Sequence, residues 1–281
     1  MSDPIPAVTE AAATGEIAEI FADIRRVLGV EVVNLIWRHL ATLPGALPWV
    51  WETLRPLYAD GTLAAEARLL HEQLTLPRLR PFPPELLAAA DLADGDIASI
   101  RDILAAYDRT NAMALIAFSA LLLRLEGRLS FSADHTVSGR AEPTPEAFVP
   151  IPLPPLPAIG ELRDPVAKLV LILNGFGTRR DNPVLASMYR HLAYWPQYLA
   201  LSWAVIAPLD ADGSLDGAIA NALGKAQTQA ARLAARPREP TFDTVTGAAI
   251  RSALDAFAND VLAKMVVICA LLRQLTQPEA E

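Results

Sequence analysis

The sequence predicts an all-α protein built from two tandem helical repeats. Three observations carry that expectation. Long segments place apolar residues three and four apart, the period of a helix buried along one face. Strand signals are weak, because no run alternates β-branched and polar residues between turn-forming residues. The chain also nearly repeats itself at an offset of 152 residues.

The first helix is expected over Glu16–Leu28, where Ile17, Ile20, Phe21, Ile24 and Leu28 form one apolar stripe. In "WRHLATLPGALPWVW" the Pro44-Gly45 pair should end one helix and begin another. Pro56 and Asp60-Gly61 should close the second. Two long segments, Ala98–Leu125 and Ala248–Leu275, are rich in Ala and Leu and nearly free of Gly and Pro. Within the first lies the longest apolar run, 12 residues from Ala112 to Leu123. It is too short to span a bilayer and reads as a buried core helix.

The repeat is specific. Residues 34–63 set against 186–215 share 13 of 30 positions, among them Arg38/Arg190, His39/His191, Pro44/Pro196, Trp51/Trp203, Pro56/Pro208 and Gly61/Gly213. The match resumes at an offset of 150, with Ala120/Ala270, Leu121/Leu271, Leu122/Leu272 and Leu125/Leu275. Two copies of this length suggest a pseudo-dimer within one chain rather than a solenoid. Between them, Arg140–Gly160 holds seven prolines, a composition that favours extended polyproline II and a semi-rigid connection. The expected layout is a first repeat over 14–139, a linker over 140–160 and a second repeat over 161–277.

Composition narrows the function. Hydrophobic residues make up 52% of 281, enough for a large core. The net charge of −8 and the absence of basic runs argue against nucleic-acid binding. Cys269 is the single cysteine, so no disulfide forms within the chain and no CxxC pair holds a metal. The acidic N-terminus "MSDPIPAVTEAAATGE" lacks the apolar core of a signal peptide, and a cytoplasmic location is expected. No membrane association is expected.

"GEIAEIFADIRRVLGV", the Leu43-Pro44 corner with Trp51 and Pro56, "RTNAMALI" and "ASMYRHLAYWPQYL" together, in this order and duplicated, resemble the group I, non-stereospecific 2-haloacid dehalogenases. The resemblance spans most of the chain. It implies an all-helical pseudo-dimer with its site between the repeats. It also implies an aspartate that activates a water for direct attack on the halogen-bearing carbon, with inversion and no covalent ester. An asparagine helps to place that water, and apolar side chains surround the halide. No cofactor or metal is implied. A small carboxylic acid is the implied ligand, and pairing of two chains into a homodimer is left open.

Residue by residue, the asparagine is Asn111 and the Tyr-Arg pair is Tyr189-Arg190. By spacing from Tyr189, the aspartate position holds Met188, which cannot take a proton from water. Asp181 in "GTRRDNPVL" is the candidate substitute base; the alternative is a helix cap at Asp181 or Asn182, with Pro183 at the first helical position. Val32 stands where the family has a pocket aromatic. Ser187, Met188 and Tyr189, with Phe257 and Val261 from the second long segment, are the expected pocket wall. Lys264 sits inside "VLAKMVVICALL", opposite Ala114 of the first repeat. It is either a cation gripping a carboxylate in the cavity or a lysine reaching the surface beside Asp260. His39 and His191 occur symmetrically, without metal-ligand spacing, and read as structural. Ser187 lacks a nucleophile elbow, and nothing in sequence puts a His-Asp pair beside it.

Overall fold

The computed structural model describes residues 5–127, 152–178, 180–181, 183–233 and 242–277. Among these every regular element is a helix, so the expected all-α class holds. The first half runs α1 (Gly15–Leu28), α2 (Leu35–Leu40), α3 (Ala46–Ala59), α4 (Thr62–Gln73), the short α5 (Pro84–Ala89) and α6 (Asp94–Leu125). The second half runs α7 (Asp164–Gly175), α8 (Ser187–Leu192), α9 (Pro196–Ala211), α10 (Ser214–Ala230), α11 (Thr244–Ala256) and α12 (Ala263–Thr276). A π-helical turn, Phe257–Leu262, joins α11 to α12.

Local chemistry sets the boundaries. Gly29 ends α1 in the left-handed conformation, φ 61°, which a residue without Cβ adopts at no steric cost. Gly45 at φ 70° makes the corner between α2 and α3. At the start of α4 the Asp60 carboxylate accepts from Thr62 N at 2.8 Å; at the start of α10 Asp212 accepts from Ser214 N at the same distance. Pro56 lies inside α3, three residues before its end at Ala59, and its missing N–H removes the backbone hydrogen bond to Glu52 O without stopping the helix.

The core is one apolar cluster drawn from both halves. α6 is its axis, packed along α12, α4 and α10. Positions 110 to 122 of α6 are buried all round, so this stretch shows no polar face. Trp37 fills the first half, edge-on to Trp51 at 5.3 Å and to Phe118 at 5.1 Å between ring centres. Trp51 Nε1 donates to Asp23 at 2.9 Å, and Arg55 pairs with the same carboxylate at 2.6 Å, tying α1 to α3. Trp203, which matches the buried Trp51 at the repeat offset, is 45% exposed.

Between α6 and α7, Leu153–Pro157 crosses α8 as an extended strap. Three α8 and neighbouring side chains hold its carbonyls: Arg190 Nε on Pro157 at 2.7 Å, His191 Nε2 on Pro154 at 3.0 Å, and the Tyr194 hydroxyl on Pro155 at 2.8 Å. Residues 140–151 of the expected linker lie outside the described residues.

Candidate functional site

A cavity of about 60 Å³ opens where the two halves meet. A water needs at least roughly 10–15 Å³ measured this way, so the space holds about four waters or one small organic molecule. One side comes from Val32, Val33, Asn34, Leu35 and Ile36, leading into α2; the facing side comes from Val184, Leu185, Ala186, Ser187 and Met188, leading into α8. These segments stand at the repeat offset of 152. The floor pairs Tyr107 and Asn111 of α6 with Phe257 and Val261 of the π turn, at the offset of 150. The cavity therefore sits where segments of the two halves with similar sequences come together.

The asymmetry within that frame is chemical. Tyr107, Asn111 and Ser187 occupy positions where the repeat offset gives Phe257, Val261 and Leu35; Asn34 and Thr110 are the other polar side chains of the lining. Among the described residues, no Asp, Glu, Lys, Arg or His lines the cavity.

Tyr107 and His191 form the strongest polar contact at the wall, 2.7 Å from hydroxyl to Nδ1. The tautomer follows from the other ring nitrogen. Nε2 faces the Pro154 carbonyl, which can only accept, so Nε2 carries the hydrogen and Nδ1 accepts from the phenol. Burial pushes the imidazole down to about 4, so the ring is neutral at neutral pH. The Ser187 hydroxyl hydrogen-bonds the same phenol, and burial raises the Tyr107 hydroxyl above its ordinary range.

Asn111 and Met188 meet through sulfur. Asn111 Nδ2 donates to Cys269 Sγ at 3.7 Å, and the Cys269 thiol lies 3.2 Å from Met188 Sδ. Burial holds Cys269 in its thiol form. A hydrogen bond to sulfur is weak, so the Asn111 amide keeps most of its capacity for a stronger acceptor.

Behind the α8 wall stands a brace that local sequence reasoning missed. Asn174, 3% exposed, donates through Nδ2 to Val184 O at 3.2 Å and accepts at Oδ1 from Ala186 N at 3.0 Å. Its own carbonyl accepts from Lys264 Nζ at 2.6 Å.

Of the expected site residues, Val32, Asn111, Ser187, Met188, Phe257 and Val261 line the cavity. Three do not. Asp181 is exposed and outside the cavity, and no helix starts at Pro183; residues 183–186 are extended and α8 begins at Ser187. Asn182, the other cap candidate, lies outside the described residues. Tyr189 is turned into the core. Lys264 neither grips a cavity ligand nor reaches the surface. It is fully buried on Asn174 O, and burial pushes its ammonium down to about 8 against the favourable charges of Asp260 and Asp210. Tyr107 was missed. The one signal for it was its replacement by Phe257 at the repeat offset.

Among the described residues no group of His, Cys, Asp and Glu is arranged to hold a metal. No described helix is long and apolar enough to cross a membrane.

No family model matches the chain. A configuration-inverting 2-haloacid dehalogenase of Alcaligenes xylosoxydans xylosoxydans is 29% identical over 218 residues, covering 74% of this chain and 71% of that protein. The crystal structure of a D-2-haloacid dehalogenase mutant superposes with a TM-score of 0.80 at 17% identity, covering 96% of this chain and 95% of the other. The fold is that of D-2-haloacid dehalogenase. A second structure, D-2-haloacid dehalogenase with L-LA, gives 0.76 at 18% identity over 97% and 96% of the two chains.

Proposed function

We propose that the cavity between the halves is the working site and that it takes a small 2-substituted carboxylic acid of the 2-haloacid kind. The observation that carries this is the cavity's construction. It is small, it lies between segments at the repeat offset, and it brings polar side chains, Asn111, Ser187 and Tyr107, together with apolar ones, Val32, Phe257 and Val261. A short acid places its polar atoms on the former and its halogen or alkyl group on the latter. The likeness to a configuration-inverting 2-haloacid dehalogenase supports the same class of ligand. The two halves act as a pseudo-dimer in this reading, with ligand specificity arising where their symmetry fails.

Position 188 limits the chemistry. A thioether in place of a carboxylate leaves no base there, and a positioned general base contributes about 10²–10⁴-fold. Hydrolysis driven from that position is therefore lost, and turnover by the native chain is slow. Because the same cavity also suits a non-catalytic small-acid receptor, the experiment separates binding from turnover. Binding of racemic 2-chloropropanoate is followed by saturation-transfer NMR, and chloride release is followed for the native chain, Met188→Asp and Asn111→Ala. Binding by the native chain, with a gain in chloride release of at least 10² in Met188→Asp, supports the reading. Absence of both binding and release in every protein refutes it.

A further inference from the structure

We propose that Tyr107, backed by His191, accepts the proton of the attacking water in this cavity, a task that Met188 cannot perform. The inference rests on the reading of the cavity as a 2-haloacid site.

The geometry begins on two helices. Tyr107 and Asn111 are four residues apart on α6 and share one face, so the phenol and the water-placing amide line the same wall. Ser187 and His191 are four residues apart on α8 and share the face that meets it. Between the helices runs one hydrogen-bonded chain: Ser187 hydroxyl to Tyr107 phenol, phenol to His191 Nδ1 at 2.7 Å, and Nε2–H to Pro154 O at 3.0 Å. With Nε2 committed as donor, Nδ1 holds its lone pair toward the phenol. The phenol oxygen can take a proton from the cavity side while passing its own to Nδ1.

The step balances. The water oxygen bonds to the substrate's C2, and the carbon–halogen bond breaks with its electron pair leaving on the halide. The water proton moves to the Tyr107 oxygen as the phenol proton moves to His191 Nδ1. The imidazolium returns its proton to solvent when the hydroxy acid and halide depart. Tyr107 is the catalytic residue, and His191 acts through it. Burial above all lowers the imidazole's proton affinity; of the groups that face it, the Pro154 carbonyl raises it by hydrogen bonding and the Arg190 guanidinium lowers it by repulsion, and the Tyr107 hydroxyl is its other hydrogen-bond partner. Arg38 is a second charge near the phenol.

A purely structural role for the dyad is the alternative, and the first half argues against it. There His39 meets a backbone carbonyl through the other ring nitrogen, Nδ1 to Pro6 O at 2.7 Å, and the ring stacks on Phe257, with centres 6.2 Å apart. A histidine-to-carbonyl tie is thus present in both halves and is scaffold. The hydroxyl is present only on Tyr107, on the wall that also carries Asn111. A phenyl ring suffices for packing at the matching place.

Tyr107→Phe removes that oxygen alone and leaves the ring, so the fold should hold; the urea midpoint checks it. Binding of 2-chloropropanoate by NMR and chloride release are measured for the native chain, Tyr107→Phe and His191→Gln. The expected result is chloride release at least 10²-fold lower for Tyr107→Phe at saturating 2-chloropropanoate, whatever the change in its binding, and release in the native chain falling below pH about 4. His191→Gln should lose that acid limb and the solvent isotope effect on release, which a structural tie would leave unmoved. Undiminished release by Tyr107→Phe overturns the relay. So does a native chain that binds 2-chloropropanoate and releases no chloride, while the cavity reading stands. No binding by the native chain sinks the cavity reading and the relay with it.

Discussion

Asn174 predicts its own importance most directly. Asn174→Ala removes a side chain that is 3% exposed and makes two bonds to the cavity wall, one to Val184 O and one from Ala186 N. Both backbone partners lie in buried residues, Val184 at 6% and Ala186 at 5% exposed, so water does not readily replace the lost amide. An unsatisfied buried group costs about 1–3 kcal/mol, and two give about 2–6 kcal/mol. For a chain of this size each kcal/mol shifts Tm by roughly 2–4 °C, so a fall of about 4–24 °C is expected. The Lys264 bond is to the backbone carbonyl of Asn174 and survives the substitution. The loss should therefore be local to the wall. Amide hydrogen exchange tests that: the Ala186 N–H should lose protection in the variant, and 2-chloropropanoate should bind more weakly. A Tm within 2 °C of native, with Ala186 still protected, would refute the claim that this side chain braces the wall.

Two further predictions concern single residues. Lys264 has a folded pKa near 8 against 10.5 for the free side chain. Between those values the unfolded chain holds a proton that the fold does not, so stability rises with pH across that window. The gain approaches about 3 kcal/mol at most. Urea midpoints of the native chain minus those of Lys264→Met should rise from pH 7 to 9.5; a flat difference contradicts the buried ammonium. Gly177 holds φ +60°, and a Cβ there would stand 2.4 Å from Ile219 Cδ1. Gly177→Ala combines left-handed strain with overpacking and should cost about 2–5 kcal/mol. Gly213→Ala, at φ +81° with nothing within 4 Å, should show the strain alone and lose less in thermal melts.

Much of the helical frame was legible in the residues. The stripe at Ile17, Ile20, Phe21, Ile24 and Leu28 marks α1 because a helix buried on one face needs apolar residues at that period. The 12-residue apolar run marked the fully buried stretch of α6 for the same reason. Gly45, Gly61 and Gly213 announced their corners, since a left-handed φ favours glycine. Six of the nine residues that the family resemblance put at the site line the cavity, because motif spacing within a helix fixes which side chains share a face.

Tertiary structure decided what the side chains do. Lys264 reads as a surface or ligand-gripping cation from its helix alone; only packing against α7 shows its ammonium capped by the Asn174 carbonyl, 90 residues away. Asp181 reads as a base or cap, but no helix forms at Pro183 and the carboxylate stays in solvent. The Tyr107–His191 bond spans 84 residues, and no local pattern encodes a contact between two helices so far apart in the chain. Periodicity and turn chemistry are properties of neighbours in sequence, so the residues by themselves determined where helices start, stop and bury a face. Which buried polar group meets which partner is set by helix packing, and that the three-dimensional structure alone decided.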